Sequence, residues 1–219
     1  MSTRHVIAID GPAASGKSSV SRKVAEHFCY AFVSSGLMYR AFTWVVCEAG
    51  LDSEADPEAV VALLEKTKIE ASRRGNELFL LVNGSDPGEA LTSDHVNGNV
   101  SKVAKIPDVR KALVKLQRAC AEATDIVMEG RDICSVVFPD TRHKFYLDAS
   151  EEVRAERRAA QGLGDEIAER DRLDSTRKVS PLKVADGAIK IDTSDMTLPQ
   201  VVEALLGHLS DQGVTPSSS

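Results

Sequence analysis

The chain has 219 residues, 42% of them hydrophobic, which is enough for one sizeable domain with a buried core and small appendages. Its formal net charge of −6 and isoelectric point near 5.4 argue against general nucleic-acid binding, so a phosphorylated ligand has to be met by local positive charge. No run approaches membrane-spanning length and Met1-Ser2-Thr3-Arg4 carries no apolar signal, so the expectation is a soluble cytoplasmic protein with no membrane or nucleic-acid partner.

The first element is the apolar run His5-Val6-Ile7-Ala8-Ile9, β-branched or small and strand-like. Gly11-Pro12-Ala13-Ala14-Ser15-Gly16-Lys17-Ser18 follows and fits the phosphate-binding loop G-x-x-x-x-G-K-[ST] at every fixed position. The chemistry explains the spacing: glycines let the backbone curl its N–H groups inward, and the next helix adds its positive N-terminus. Val20, Val24 and Phe28 recur at helical spacing and supply that helix. Lys17 is placed to reach the β- and γ-phosphates of a nucleoside triphosphate, and Ser18 to offer its hydroxyl to the accompanying Mg2+.

Ala31-Phe32-Val33 is a short candidate strand leading into Ser34-Ser35-Gly36, and Leu37 to Ala49 is a helix stopped by Gly50. Asp56-Pro57-Glu58 opens another helix with a capping aspartate and a proline in the first turn. Ile69 to Val82 changes to strands, ended by the turn signal Asn83-Gly84, which predicts a small hairpin among helices. Pro107-Asp108 starts a long helix whose apolar face is Val109, Leu113, Leu116, Cys120 and Ala123, and whose other face carries Arg110, Lys111, Lys115 and Arg118, most of them read as solvated. Asp125 to Met128 and His143 to Leu147 have the pattern of buried parallel strands. Between Glu151 and Arg177, 14 of 27 residues are charged, six of them arginine. Ala188 to Ile191 reads as a last strand and Val201 to Leu209 as a final amphipathic helix, with a disordered tail from Gly213 to Ser219. Cys29, Cys47, Cys120 and Cys134 have no C-x-x-C spacing and are expected to be buried free thiols, which argues against disulfides and zinc.

A phosphate loop alone indicates nucleotide binding. Transfer of the γ-phosphoryl group needs dense positive charge, and arginine suits it with its permanent charge and forked donors. Arg40 follows the Ser-Ser-Gly turn, Glu129-Gly130-Arg131-Asp132 follows a predicted strand, and Arg154, Arg157, Arg158, Arg170 and Arg177 lie in the charged segment.

Over nearly its whole length the chain resembles the bacterial-type cytidylate kinases, a family of nucleoside monophosphate kinases. The carriers are Ile9-Asp10-Gly11-Pro12 through Ser18, Ser35-Gly36 with Met38-Tyr39-Arg40, and Val100-Ser101-Lys102-Val103-Ala104 with Val109-Arg110 and Gln117-Arg118. Gly130-Arg131-Asp132, Val136 to Asp140, Tyr146 to Ser150, Glu169-Arg170-Asp171 and Arg177 with Ser180-Pro181-Leu182 complete them. The resemblance implies an α/β fold, a P-loop kinase in which helices flank a central parallel sheet. Residues 1–219 would form one domain, with an acceptor-binding insert at about 36–104 that contains a small antiparallel sheet, and a helical lid at about 150–177.

The implied reaction moves the γ-phosphoryl group of ATP to CMP or dCMP, with Mg2+, in a monomer. Gly11, Pro12, Ala13, Ala14, Ser15, Gly16, Lys17, Ser18 and Ser19 would hold ATP, Ser18 also the metal, and Arg154, Arg157 and Arg158 would close over the ATP phosphates. Arg40 and Arg131 would hold the acceptor phosphate, Ser101, Arg110 and Asp132 the cytosine, and Tyr39, Arg170 and Asp174 the ribose, with Arg177 bracing Asp174 and Ser35 also binding CMP. Lys17, Arg131, Arg157 and Arg170 would carry catalysis. The chain departs from the family pattern at Ser34 and Glu129, where aspartate is common, and at Cys134, where glycine is common. Two rivals remain open: a kinase of the same architecture for UMP, AMP or another small acceptor, and a non-catalytic nucleotide switch, against which stands the absence of an Asn-Lys-x-Asp stretch.

Overall fold

The structure, a computed structural model, describes residues 4–160 and 182–216. Seven strands form one sheet: β1 (Val6–Asp10), β2 (Ala31–Ser34), β3 (Ile69–Arg74), β4 (Glu77–Val82), β5 (Ile126–Gly130), β6 (His143–Asp148) and β7 (Ile189–Asp192), in the order β3-β4-β2-β5-β1-β6-β7. Every neighbouring pair is parallel except β3 and β4. The α-helices among the described residues are α1 (Lys17–Phe28), α2 (Ser35–Glu48), α3 (Pro57–Glu65), α4 (Asp94–Val103), α5 (Pro107–Ala123), α6 (Glu151–Ala159) and α7 (Leu198–Asp211).

The period of two along each strand divides the core into two layers. Ile7 and Ile9 of β1, Val127 of β5, and Phe145 and Leu147 of β6 pack with Val20, Val24 and Phe28 of α1 and Val201, Leu205 and Leu209 of α7. The alternate residues Ala8, Val33, Ile126 and Met128 face Met38 and Ala41 of α2 and Cys120 of α5 across the other side. A third cluster, with Phe42, Val60, Val100, Val103, Val109 and Leu113, joins α2, α3, α4 and α5 beyond the sheet. Helices on both faces account for the nearly continuous apolar central strands.

Asp56 caps α3, accepting from the Ala59 amide at 3.0 Å, with Pro57 in the first turn as expected. Asn83-Gly84 ends β4, while the hairpin itself turns at Gly75-Asn76. The hairpin is continuous with the main sheet, because β4 pairs with β2 at Phe32 and Glu77. Helix α4, for which the sequence showed no periodic run, is capped by Ser93 at the Val96 amide.

Two expectations are corrected. Val214 is buried in the α1–α7 layer and its amide donates to the Leu209 carbonyl at 3.0 Å, so the chain is packed one residue past Gly213. All four cysteines are free thiols, but only Cys120 and Cys134 are buried; Cys29 is exposed, since it takes up the left-handed turn that ends α1, and Cys47 is half-buried.

Candidate active site

In open parallel sheets, ligands sit at the carboxyl ends of strands where the connections diverge to opposite sides. Here β1 lies between β5 and β6; its connection runs to β2 on one side, while that from β5 runs to β6 on the other. The register aligns Asp10 with Gly130 and Glu129 with Ser34, so the loops after β1, β2 and β5 open side by side. They line a cavity of about 380 Å³.

One side of it is the glycine loop. Ala14 (φ 59) and Gly16 (φ 87) adopt left-handed backbone, the curl from which successive amides form an anion nest ahead of the α1 N-terminus. Lys17 folds back so that Nζ donates to the Pro12 carbonyl at 2.8 Å. Ala13, Ala14, Gly16, Lys17, Ser18 and Ser19 all line the cavity; Gly11, Pro12 and Ser15 are buried behind it.

The opposite side draws on α2, α4, α5 and the loop after β5. Arg110 and Asp132 form a salt bridge, 4% and 5% exposed respectively, so this pair is withdrawn from water. Arg110 also donates to the Ala104 carbonyl at 3.3 Å and lies over the Tyr39 ring, 5.6 Å from its centroid. Arg110 is therefore not among the solvated charges of α5: it points inward because Val109 and Leu113 on the same helix are anchored in the third core cluster. Ser101, Ser35 and Tyr39 are buried and line the same wall. Gly130 has to be glycine, since a Cβ there meets the Ser35 hydroxyl and the Ile133 side chain.

Between the two sides, Arg40, Arg131 and Arg158 converge. Arg40 donates to Asn97 Oδ1 at 3.1 Å and to the Gly36 carbonyl at 3.3 Å. Burial holds its pKa below the ordinary arginine value; Glu129 counteracts this, and Arg131 and Arg158 add to the depression. Three guanidinium groups thus face one small volume, with the Glu129 carboxylate beside them. Glu129, 5% exposed, accepts from the Ser34 hydroxyl at 2.5 Å, so the two departures from the family pattern are partners of each other. Cys134 is turned away from the cavity, its Sγ donating to the Ala8 carbonyl at 3.4 Å, and burial pushes its thiol pKa far up.

The arginines of α6 separate. Arg158 lines the cavity beside Arg40, whereas Arg154 donates to the Ala149 carbonyl at 3.2 Å and to the Ala13 carbonyl at 3.5 Å. Arg157 grips Thr193, donating to its hydroxyl at 3.0 Å and its carbonyl at 2.7 Å. Arg170, Asp174 and Arg177 lie outside the described residues.

Asp10, Asn97 and Thr193 had no functional role in the sequence reading. Thr193 is 1% exposed and its hydroxyl donates to the Asp148 carbonyl at 3.0 Å or the Ser15 carbonyl at 3.2 Å, tying the end of β7 to the glycine loop. Asn97 and Thr193 are invisible to periodicity, being single polar residues outside any motif; Asp10 had a signal, a carboxylate closing an apolar strand immediately before the loop. No group of three or more His, Cys, Asp or Glu side chains among the described residues is arranged to hold a metal. No helix is long and apolar enough to cross a membrane among those residues.

The sequence model of one protein family, described as cytidylate kinase, matches residues 7–211. A cytidylate kinase from Geobacillus kaustophilus is 42% identical over 97% of this chain and 99% of its own length. One from Bacillus thuringiensis (strain Al Hakam) is 39% identical over 96% of this chain and 98% of its own.

Proposed function

The chain belongs to the cytidylate kinase family, and on that premise we propose that it transfers the γ-phosphoryl group of ATP to CMP or dCMP, giving ADP and CDP or dCDP. The observation that carries the acceptor assignment is the buried Arg110–Asp132 pair facing the cavity opposite the glycine loop. Cytosine presents an amine donor beside a ring-nitrogen and a carbonyl acceptor, so a carboxylate with an arginine complements its edge, with Ser101 adjacent. Uracil places a carbonyl where the amine stood, against the Asp132 carboxylate, which disfavours UMP.

The acceptor phosphate sits among Arg40, Arg131 and Arg158, with Ser35 beside them; the triphosphate sits on residues Gly11 to Ser19. A phosphate oxygen of CMP attacks the γ-phosphorus, the bond to the β-bridging oxygen breaks, and ADP carries that oxygen away, with no covalent enzyme intermediate. Lys17 follows the charge on the transferring group and Arg131 and Arg158 offset repulsion between the two phosphates. Ribose contacts fall to Tyr39, Arg170 and Asp174 with Arg177, and Arg154, Arg157 and Arg170 act from the segment at about 150–177 as it covers the nucleotide, excluding water. The insert at about 36–104 contributes Tyr39, Arg40 and Ser101 to the acceptor wall.

The oxygen donors Ser18 and Glu129 beside the cavity, without a protein cage, suit Mg2+, which keeps waters and substrate phosphates in its shell. When bound, that ion neutralises charge between the β- and γ-phosphates. We take the enzyme to be a monomer, and both substrates are cytoplasmic nucleotides, which fits a cytoplasmic enzyme.

ADP formation measured with CMP, dCMP, UMP, AMP and GMP tests the proposal: cytidine nucleotides are expected to be preferred, and equal use of all five overturns the substrate assignment. A non-catalytic switch is disfavoured because it needs no second, base-reading wall; nucleotide binding without CMP-stimulated turnover would restore it.

A further inference from the structure

Asp10 is 1% exposed, and no lysine, arginine or histidine pairs with it among the described residues. Its carboxylate instead accepts two backbone amides, Ile133 N–H at 2.9 Å and Cys134 N–H at 2.8 Å. Burying an ionised carboxylate without a counter-cation is costly, and desolvation accordingly raises its pKa to about 6, with Asp132 pushing the same way. A neutral residue would sit in this place at lower cost.

The position of Asp10 accounts for the charge. It is the last residue of β1 and precedes the glycine loop, and the amides that it holds belong to the single π-helical turn Ile133–Val137 directly after Arg131 and Asp132. A bond returns in the other direction, from Arg131 Nη1 to the Gly11 carbonyl at 3.0 Å. Asp132 is drawn at the same time toward Arg110 on α5. The loop after β5 is thus stretched between α5 and the end of β1, and Asp10 is its anchor on the glycine-loop side.

We propose that Asp10 is a positioning residue for the acceptor site, its carboxylate holding the Arg131–Cys134 loop against the glycine loop so that Arg131 and Asp132 meet the acceptor in register with the transferring phosphoryl group. This rests on the cytidylate kinase reading. The carboxylate gives each of the two N–H donors its own oxygen, Oδ1 for Ile133 and Oδ2 for Cys134. A side-chain amide, as in Asp10→Asn, offers one oxygen, and its NH2 opposes the other backbone N–H.

The experiment compares the wild type with Asp10→Asn, measuring KM for CMP, UMP and ATP, equilibrium binding of CMP and of a non-hydrolysable ATP analogue, and thermal unfolding. The expected result is a rise of about tenfold in KM and Kd for CMP, the size of one lost hydrogen bond to a charged group. The preference for CMP over UMP narrows with it. ATP constants stay within about twofold and the melting temperature is unchanged or higher, because a buried charge has been removed. An unchanged CMP constant, a parallel loss for CMP and ATP, or a variant that melts lower or does not fold makes Asp10 a structural cap and overturns the proposal. The wild type in the same assay separates the two readings: no preference for CMP there overturns the cytidylate kinase assignment, whereas a normal wild type with an unaltered variant overturns the role of Asp10 alone.

Discussion

The two sides of the cleft are built on different principles. The donor side is one unbroken run, Gly11 to Ser19, in which the backbone and a helix N-terminus present the positive field and only Lys17 and Ser18 add side-chain chemistry. The acceptor side assembles Tyr39 and Arg40 from α2, Ser101 from α4, Arg110 from α5, and Arg131 and Asp132 from the loop after β5, and its properties lie in side chains. A backbone cradle suits phosphate in any nucleotide, whereas on the proposed reading the buried Arg110–Asp132 pair selects one base edge. Generality and selectivity are therefore physically separated, and Asp10 and Arg131 are the residues that join them.

Lys17→Met is expected to have the largest effect, a fall in kcat of roughly 10²–10³-fold, the scale for removing one preorganised charge donor. The loss is the same for every acceptor tested; an altered acceptor preference would contradict the separation.

The join itself is tested by stability against pH. The Asp10 carboxyl is raised from 3.8 to about 6, so its stabilising contribution is fully present below pH 3.8 and lost as the pH rises through about 6. Among the described residues, the titratable groups acting on it are Asp132 and the Cys134 thiol. Urea unfolding from pH 4 to 7 should show the wild type losing about 3 kcal/mol relative to Asp10→Asn. A constant difference across that range means that Asp10 carries no buried charge.

Asp132→Asn probes the contrast from the acceptor side, with kcat/KM for CMP falling roughly 10- to 100-fold through one mismatched buried polar contact, KM for ATP unchanged, and UMP gaining ground. The smallest effect is expected from Asn97→Ala. Asn97 accepts from Arg40 and donates to the Thr92 carbonyl at 2.7 Å, so its loss frees Arg40 at about 1 kcal/mol, read as a severalfold rise in KM for CMP with kcat retained.

The glycine loop, its strand and its helix were legible because all of their information is local: backbone conformation, helix start and apolar period lie within about 20 consecutive residues. The central strands and α5 followed from the same periodicities. The hairpin was visible, but its pairing with β2 through Phe32 and Glu77 was not, since strand order is a long-range property. Among the site residues, Arg110 illustrates the limit: spacing on α5 put it with the solvated charges, and only the resemblance gave it a role.

Residue order was enough for a phosphate-binding loop on a strand–loop–helix unit, for an α/β chain and, through several separated motifs, for the family to which it belongs. It took the folded chain to bring Arg110 to Asp132, 22 residues away, Ser34 to Glu129, and Asp10 to the amides of Ile133 and Cys134. The reason is geometric. Parallel strands place distant loops side by side at one edge of the sheet, and a carboxylate is a partner, a ligand or a cost according to which donors that register brings within reach.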